Sequence, residues 1–389
     1  IIGQIIFVII FFSTLQAKNL DKFTEADRIS DYFSGILLLN DNQYNNSALF
    51  LKRLNGLEES HLYYSIKYLY SLVNSGNLNE AFNYSRKLEK QKLESFETHL
   101  ITGIFYLKNS NLNLAKKYFL KAKNMNSRFI LNNYVSHSLY NWSNLESLNI
   151  NSATLELKKL DERFKNLGKI QKAFLSCYYN ISNTSNLFNE LTINNKKTDF
   201  SRYNYFHASY LVSLGKINEA KNLVQSALEL HPRNLLLNQY KTDLNKGKNI
   251  SIFNCNKEKH VIAEILYIKA NALSSQSIYT LSNFYLNLAM YLNEDFHSFD
   301  TLMAENFYKI DNFEKAKKIY KDLSKKGEAF KWYSIKQIAS ILVREEKKDK
   351  AIKLASNAYK DLINKNIYET FDFAEFLKNN EKFEESIPY

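Results

Sequence analysis

The chain has 389 residues, more than one compact core usually holds. Hydrophobic residues make up 45% of it, which excludes wholesale disorder. With 2 Pro and 9 Gly it has few turn residues for an all-β fold, and it favours long helices joined by short turns. The net charge is +12, but lysines are spread through nearly every predicted helix instead of forming a stripe, so no nucleic acid is expected as a partner.

The N-terminal segment predicts export. Residues 1–12 are an apolar run and residues 13–17 resemble a cleavage region, so residues 1–17 are predicted to be a secretory signal peptide. The run falls short of the ~18 apolar residues that span a bilayer, and no later segment is apolar enough to do so. The chain is therefore predicted to be periplasmic or envelope-associated, without a transmembrane span once the signal is removed. An uncleaved N-terminal anchor is the alternative.

Pairs of small residues twelve positions apart recur along the chain and mark a repeat. The pairs are Gly35/Ser47, Gly103/Ala115, Ala208/Ala220, Ala270/Ser282, Ala304/Ala316, Ala339/Ala351 and Ala374/Ser386, with Leu69/Ala81 keeping only the spacing. Neighbouring pairs often lie 34 or 35 residues apart. This period suits two antiparallel helices of roughly 12–14 residues, with apolar positions at i, i+3, i+4 and i+7. Because one hairpin cannot bury its apolar faces alone, successive hairpins must stack.

The pattern resembles the tetratricopeptide (TPR) repeat, as in exported bacterial TPR proteins. In residues 201–234 the family's order is followed by Ala208, Gly215, Ala220, Ala227 and Pro232. Residues 96–129 carry the family's Ala-x-x-x-Phe step at Ala115 and Phe119, but the usual Trp of the first helix is absent from every unit. The resemblance implies an all-α, right-handed superhelical solenoid of antiparallel hairpins. It also implies a non-enzymatic scaffold that binds protein or peptide.

The repeat register predicts how the chain is organised. The predicted parts are a signal peptide (1–17), an N-terminal TPR-like array (18–129), irregular helical repeats (130–200), a TPR unit plus extension (201–262) and a C-terminal TPR-like array (263–389). Residues 130–200 have room for two further units, and residues 235–262 are expected to be a helix extension plus a loop. Since Ser386 begins a second helix just before Tyr389, the last array is expected to be incomplete and the chain truncated at its C-terminus.

No sequence motif indicates catalysis, a cofactor or a metal. The seven His form no i, i+4 pair, and no phosphate-binding loop, nucleophile elbow or dinucleotide turn is present. Cys177 and Cys255 have no His at zinc spacing; they could pair in an exported chain, but inert buried thiols are favoured. We therefore predict no catalytic, cofactor-binding or metal-binding residue.

A partner is expected in the concave groove, which in the resembled family is lined by the first helices of successive units. The register places nine residues there: Tyr63, Ile66, Tyr70, Leu100, Ile104, Tyr205, Tyr308, Lys336 and Arg344. The N-terminal ones are apolar and rich in Tyr, which suits an interface. The alternative is that a tight superhelix buries these residues in its core.

The sequence identifies neither the protein partner nor the oligomeric state. A complex-assembly scaffold in the bacterial envelope is the favoured function. Two other functions stay open. One is a helical-repeat RNA-binding protein, which the basic charge and abundant Tyr would suit. The other is a helper region of a larger enzyme.

Overall fold

The computed structural model describes residues 25–125, 129–193, 199–247, 252–362 and 365–389, and the predicted signal peptide lies outside these ranges. Within them every regular element is helical and no strand occurs. No helix in these ranges combines the length and apolar character that crossing a bilayer requires. The predicted all-α solenoid of antiparallel hairpins is confirmed; its right-handed sense stays a prediction.

Ten helix hairpins and one single helix follow each other along the described chain. In the first half, α1 (residues 25–40) pairs with α2 (Tyr44–Lys52), α3 (Leu62–Asn74) with α4 (Leu78–Lys90), α5 (Phe96–Lys108) with α6 (Leu112–Asn124), α7 (Ile130–Trp142) with α8 (Ile150–Leu157), and α9 (Lys165–Tyr178) with α10 (Thr184–Ile193). In the second half, α11 (Tyr203–Ser213) pairs with α12 (Ile217–Leu230), α13 (Leu235–Asn245) is single, and the pairs continue as α14 (Glu258–Ser275) with α15 (Tyr279–Leu292), α16 (Ser298–Lys309) with α17 (Phe313–Leu323), α18 (Glu328–Arg344) with α19 (Lys348–Lys360), and α20 (Ile367–Asn379) with α21 (Phe383–Ser386).

In most hairpins, the turn between the two helices contains one residue with a positive φ. Nine of the ten described hairpins have such a residue, all except α7–α8: Asn42, Gly76, Ser110, Asn180, Gly215, Ser277, Asp311, Glu346 and Glu381. A left-handed residue directly after a helix ends it and lets the chain reverse. Within each array these residues recur every 34 or 35 positions. Asn180, 35 positions before Gly215, continues that period into residues 130–200, where no pair of small residues was identified.

The small residues of the twelve-residue pairs lie where the two helices of a hairpin touch. A Cβ added to Gly35 would collide with Leu51, and one added to Gly103 would collide with Phe119. In two of the three pairs whose second member is Ser, its hydroxyl donates to the carbonyl of the first, from Ser47 to Gly35 at 2.7 Å and from Ser282 to Ala270 at 2.8 Å. The spacing therefore encodes a close helix–helix contact as well as a local hydrogen bond.

The segment after α12 differs from its prediction. A helix extension was expected from residue 235, but α12 ends at Leu230 and α13 is a separate helix. Pro232 lies between them, and proline disfavours a helical conformation in the residue before it. The Asn234 side chain then accepts from the backbone N–H of Leu237 and starts the new helix.

Two hydrophobic cores hold the hairpins together. The larger extends from α1 to α18 and includes Trp142. The smaller is built from α18, α19 and α20, and consists of Trp332, Ala339, Ala351, Ile352, Ala355, Ala358, Tyr359, Phe373 and Leu377. Because α18 contributes to both, it is the element that connects the last hairpins to the rest of the molecule.

The chain also closes on itself. Helix α15 packs on α3 and α5, and α14 packs on α7, so the second half of the chain lies against the first. Cys177 at the end of α9 and Cys255 before α14 form a disulfide with a Cα–Cα distance of 6.1 Å. The expectation of two inert thiols is therefore wrong, because chain closure brings together two cysteines 78 residues apart.

Candidate partner-binding surfaces

The groove predicted along the N-terminal array is filled by the chain itself. Tyr70 of α3 packs its ring against Phe284 of α15 with centroids 4.9 Å apart, and its hydroxyl donates to Glu97 at 3.1 Å. Leu100 and Ile104 of α5 are completely buried. The expectation that these residues line an open groove is wrong, because α15 packs on the inner helices α3 and α5 of the array.

Side-chain amides hydrogen-bond across the contact between the two halves, which we call the closure seam. The amide of Asn74 donates to the carbonyl of Thr280 at 3.1 Å, and Asn287 donates to the side-chain oxygen of Asn74 at 3.2 Å. Asn283, one turn before Asn287 on α15, donates to the hydroxyl of Tyr44 in the preceding hairpin at 3.2 Å. The seam is therefore specific as well as apolar, since each amide needs its partner in register.

A buried lysine lies in the same seam. Lys269 of α14 donates to the side-chain oxygen of Asn132 and to the hydroxyl of Tyr285, and its Nζ lies 5.3 Å from the centroid of the Phe96 ring. Burial lowers the pKa of Lys269 to about 7, which the negative charge of Glu97 only partly offsets. These interactions place Lys269 in the core rather than on a surface open to a partner.

Tyr63 is the most exposed of the predicted site residues in the N-terminal array. Its side chain is 54% exposed, and the ammonium of Lys67 lies 4.9 Å from its ring centroid. The ring of His61 is 6.2 Å away, and the His61 Nε2 hydrogen-bonds to the hydroxyl of Tyr32 at 2.9 Å. Ile66 on the same helix is half-buried. This aromatic and cationic patch is open, and we call it the α3 patch.

Tyr205 is a core residue. It is buried, and its ring contacts Tyr240 and Phe296 with centroids 4.8 and 5.6 Å apart. The expectation that Tyr205 faces a groove is wrong, because α13 and the segment before α16 pack on α11 at that point. Beside it the guanidinium of Arg202 forms a bidentate salt bridge with the carboxylate of Glu264, and both N–O distances are 2.8 Å.

The three C-terminal site residues lie on α16 and α18. The Arg344 guanidinium lies 4.7 Å from the ring centroid of Tyr308 and pairs with Asp311 at 3.0 Å. Lys336 pairs with Asp372 of α20. Arg344 is exposed, while Tyr308 and Lys336 are half-buried, so this part of the predicted set remains accessible to a partner.

A cleft of about 500 Å³ lies between α13 and the helices α18 to α20. It was not predicted, because its lining comes from four helices and not from one face of the repeat. The lining residues are Asn238, Lys241, Thr242, Asn245, Lys246, Glu328, Ala329, Lys331, Trp332, Ile335, Ala358, Asp361, Leu362, Lys365, Asn366 and Glu369. One signal could have pointed to it: α13 breaks the alternation of hairpins, and an unpaired helix must pack elsewhere.

Within the described ranges, no group of three or more His, Cys, Asp and Glu side chains is arranged to hold a metal ion.

No protein-family model matches the chain, and neither does any curated protein sequence. Among solved structures it is similar to the TPR domain of P58(IPK), with 14% identity over 92% of this chain and 98% of that one and a TM-score of 0.25. It is also similar to a chain of the structure of Naa15/Naa10 bound to HypK, with 13% identity over 92% and 67% of the two chains and a TM-score of 0.22. Such TM-scores carry no argument; the TPR-like description rests on the hairpins and their period.

Proposed function

We propose that the chain is a non-enzymatic, protein- or peptide-binding scaffold of the bacterial envelope that supports assembly of a protein complex. The observation that carries the binding role is that the closed solenoid leaves preformed surfaces open, among them the α3 patch and the cleft between α13 and α18–α20. Packed hairpins hold both surfaces in fixed positions, and a preformed surface loses little conformational entropy when a partner binds.

Export is supported by two separate features. The apolar run at residues 1–12 has the character of a signal sequence. The disulfide between Cys177 and Cys255 is of the kind that persists in oxidising compartments such as the periplasm and is rare in the cytosol.

Cross-linking in cells tests the binding role. A tagged full-length chain would be cross-linked in its own host, purified from the envelope fraction and analysed by mass spectrometry. We expect one partner in stoichiometric amount. The control variant Lys117→Glu, which changes an exposed lysine of α6, should retain this partner. We expect recovery to fall at least fivefold in one of two double variants. Tyr63→Ser/Lys67→Glu changes the α3 patch, and Lys241→Glu/Lys365→Glu changes the cleft. A mixture of unrelated proteins, or nucleic acid, would contradict the proposal.

Thiol trapping in the same cells tests the location. Cells are quenched in acid, and the chain is then denatured without reductant and treated with a maleimide of known mass. An exported chain carries no added label, since both cysteines are oxidised. Two labels on the mature protein would argue for a reducing compartment and against the envelope.

A further inference from the structure

The cleft between α13 and α18–α20 is held in shape by contacts across its walls. Lys246, directly after α13, pairs with Glu328 at the start of α18 at 2.5 Å. The side-chain oxygen of Gln239 accepts from the backbone N–H of Ala329 at 3.1 Å. A Cβ on Gly327 would collide with the end of the Gln239 side chain, so a larger residue at 327 would displace the group that accepts from Ala329. The volume of about 500 Å³ is within the range of preformed ligand sites.

The floor of the cleft is apolar but carries one buried polar atom. Trp332 is 5% exposed, and its Nε1 is buried with no hydrogen-bond partner among the described residues. Ile335, Ala358 and Leu362 complete the apolar lining. Buried indole N–H groups normally have an acceptor, so an oxygen atom brought by a ligand would satisfy this one.

The carboxylates of the cleft are already engaged. Glu328 is paired with Lys246, and Asp361 lies 3.9 Å from the ammonium of Lys331. The Glu369 carboxylate accepts from the backbone N–H of Asn366 at 3.0 Å, and burial raises its pKa.

Two lysines of the cleft have no carboxylate partner among the described residues. The ammonium of Lys365 hydrogen-bonds to backbone carbonyls, at 3.2 Å from that of Leu362, and lies 5.4 Å from the ring centroid of Tyr359. Lys241 is exposed on α13. The charge left uncompensated at the rim is therefore positive, and it is complementary to an acidic ligand.

We propose that this cleft binds an extended segment of a partner protein in which an apolar side chain lies next to acidic residues. The apolar side chain packs on Trp332 and Leu362, and a main-chain carbonyl of the segment accepts from the Trp332 Nε1. The acidic residues face Lys241 and Lys365. The inference rests on the proposed scaffold function and specifies the site and the class of partner.

Peptide selection on the intact chain tests this proposal. A library of random nine-residue peptides displayed on phage is selected against the full chain, and an enriched peptide is labelled for fluorescence anisotropy. We expect enriched peptides to combine an apolar residue with Asp or Glu. We expect the dissociation constant to rise at least tenfold in Lys241→Glu/Lys365→Glu and about fivefold in Trp332→Phe, which keeps an apolar ring but removes the donor. The Lys117→Glu control should stay within twofold of the wild type.

The Trp332 indole gives a direct readout. In ¹⁵N-labelled protein the two indole N–H resonances are assigned with Trp142→Phe, and the Trp332 resonance should move on titration with the selected peptide. Because Lys241 and Lys365 are exposed, the charge-reversal variant keeps the test informative even if Trp332→Phe fails to fold.

Three outcomes would overturn the proposal: no enriched peptide, enrichment of basic peptides, or binding unchanged by charge reversal. The cross-linking experiment separates the two levels of the argument. A partner still recovered from the envelope with the cleft charges reversed leaves the scaffold role standing and removes the cleft. Absence of any specific partner removes the scaffold role itself.

Discussion

Lys269 is 2% exposed and donates to Asn132 and Tyr285 inside the closure seam. Burial lowers the pKa of its ammonium to about 7 because the surrounding water that would stabilise the charge is excluded. In the unfolded chain the same group titrates near its usual pKa of about 10.4. Between these two pKa values the unfolded state binds more protons than the folded state, so folding is coupled to pH at this one residue.

The free energy of unfolding should therefore rise with pH between about 7 and 10, with a contribution from Lys269 of up to roughly 1.4 kcal/mol per pH unit. Below pH 7 this contribution should no longer change, because Lys269 is then protonated in both states. Urea unfolding at pH 7.0 and 9.0 measures the difference. Lys269→Met should remove this component of the pH dependence, whereas Lys117→Met, on an exposed lysine, should keep it. Equal pH dependence in all three proteins would show that Lys269 is not buried as described.

Arg202 and Glu264 form a buried ion pair, with side-chain exposures of 17% and 1%. The Arg202 guanidinium also stacks on Tyr267, 3.9 Å from its ring centroid. Glu264→Gln would leave the guanidinium buried with no carboxylate to neutralise it, and we expect a loss of about 3–5 kcal/mol in the free energy of unfolding. Urea denaturation followed by circular dichroism measures this loss. The exposed pair Lys325–Asp322 is the control, and Asp322→Asn should leave the unfolding midpoint unchanged. A similarly small effect of Glu264→Gln would mean that water reaches Arg202.

At the scale of helices, the sequence predicts the hairpins well because a hairpin is a local contact. Gly103 and Phe119, sixteen positions apart, touch within one unit, and such spacings repeat along the chain. Ala173 and Ser185, twelve positions apart like the small-residue pairs, keep the register in α9–α10, where a five-residue turn separates the helices.

The closure seam and the cleft were not predictable in the same way. The hydrogen bond between Asn287 and Asn74 joins residues 213 positions apart, and that between Gln239 and Ala329 joins residues 90 apart. Neither separation follows from the period of the repeat. The site prediction failed for Leu100 and Ile104 for this reason, since the register indicates which helix face is inner but not what covers it.

The two cores predict two unfolding transitions, and each core contains one of the two tryptophans. Trp142 is buried in the larger core and Trp332 in the smaller one. Solenoid stability is approximately a sum over hairpins and their neighbours, so the small terminal core should open first. In Trp332→Phe the remaining fluorescence reports the larger core, and in Trp142→Phe it reports the smaller one. We expect the fluorescence of Trp142→Phe, which reports the smaller core, to have the lower urea midpoint. Circular dichroism of the unsubstituted chain follows the unfolding of both cores. Coincident midpoints would indicate one cooperative unit.

At the scale of the whole molecule, closure turns a linear array into a structure with long-range constraints. In an open solenoid each hairpin contacts only its neighbours. Here α15 also packs on α3 and α5, and the disulfide joins the end of α9 to the segment before α14. The N-terminal groove is thereby unavailable, and the proposed partner-binding surfaces are the α3 patch and the cleft.

The disulfide should contribute strongly to this closure because it joins residues separated by 78 positions. A crosslink over a loop of that length restricts the unfolded chain, and removing it should lower the free energy of unfolding by about 4 kcal/mol. Urea denaturation of Cys177→Ser/Cys255→Ser, compared with the oxidised wild type, measures the change. Adding reductant should bring the wild type to the midpoint of the double variant, and the variant itself should not respond. If reductant changes neither protein and free-thiol titration finds two thiols per chain, the cysteines are unpaired, and the support that the disulfide gives to export is lost.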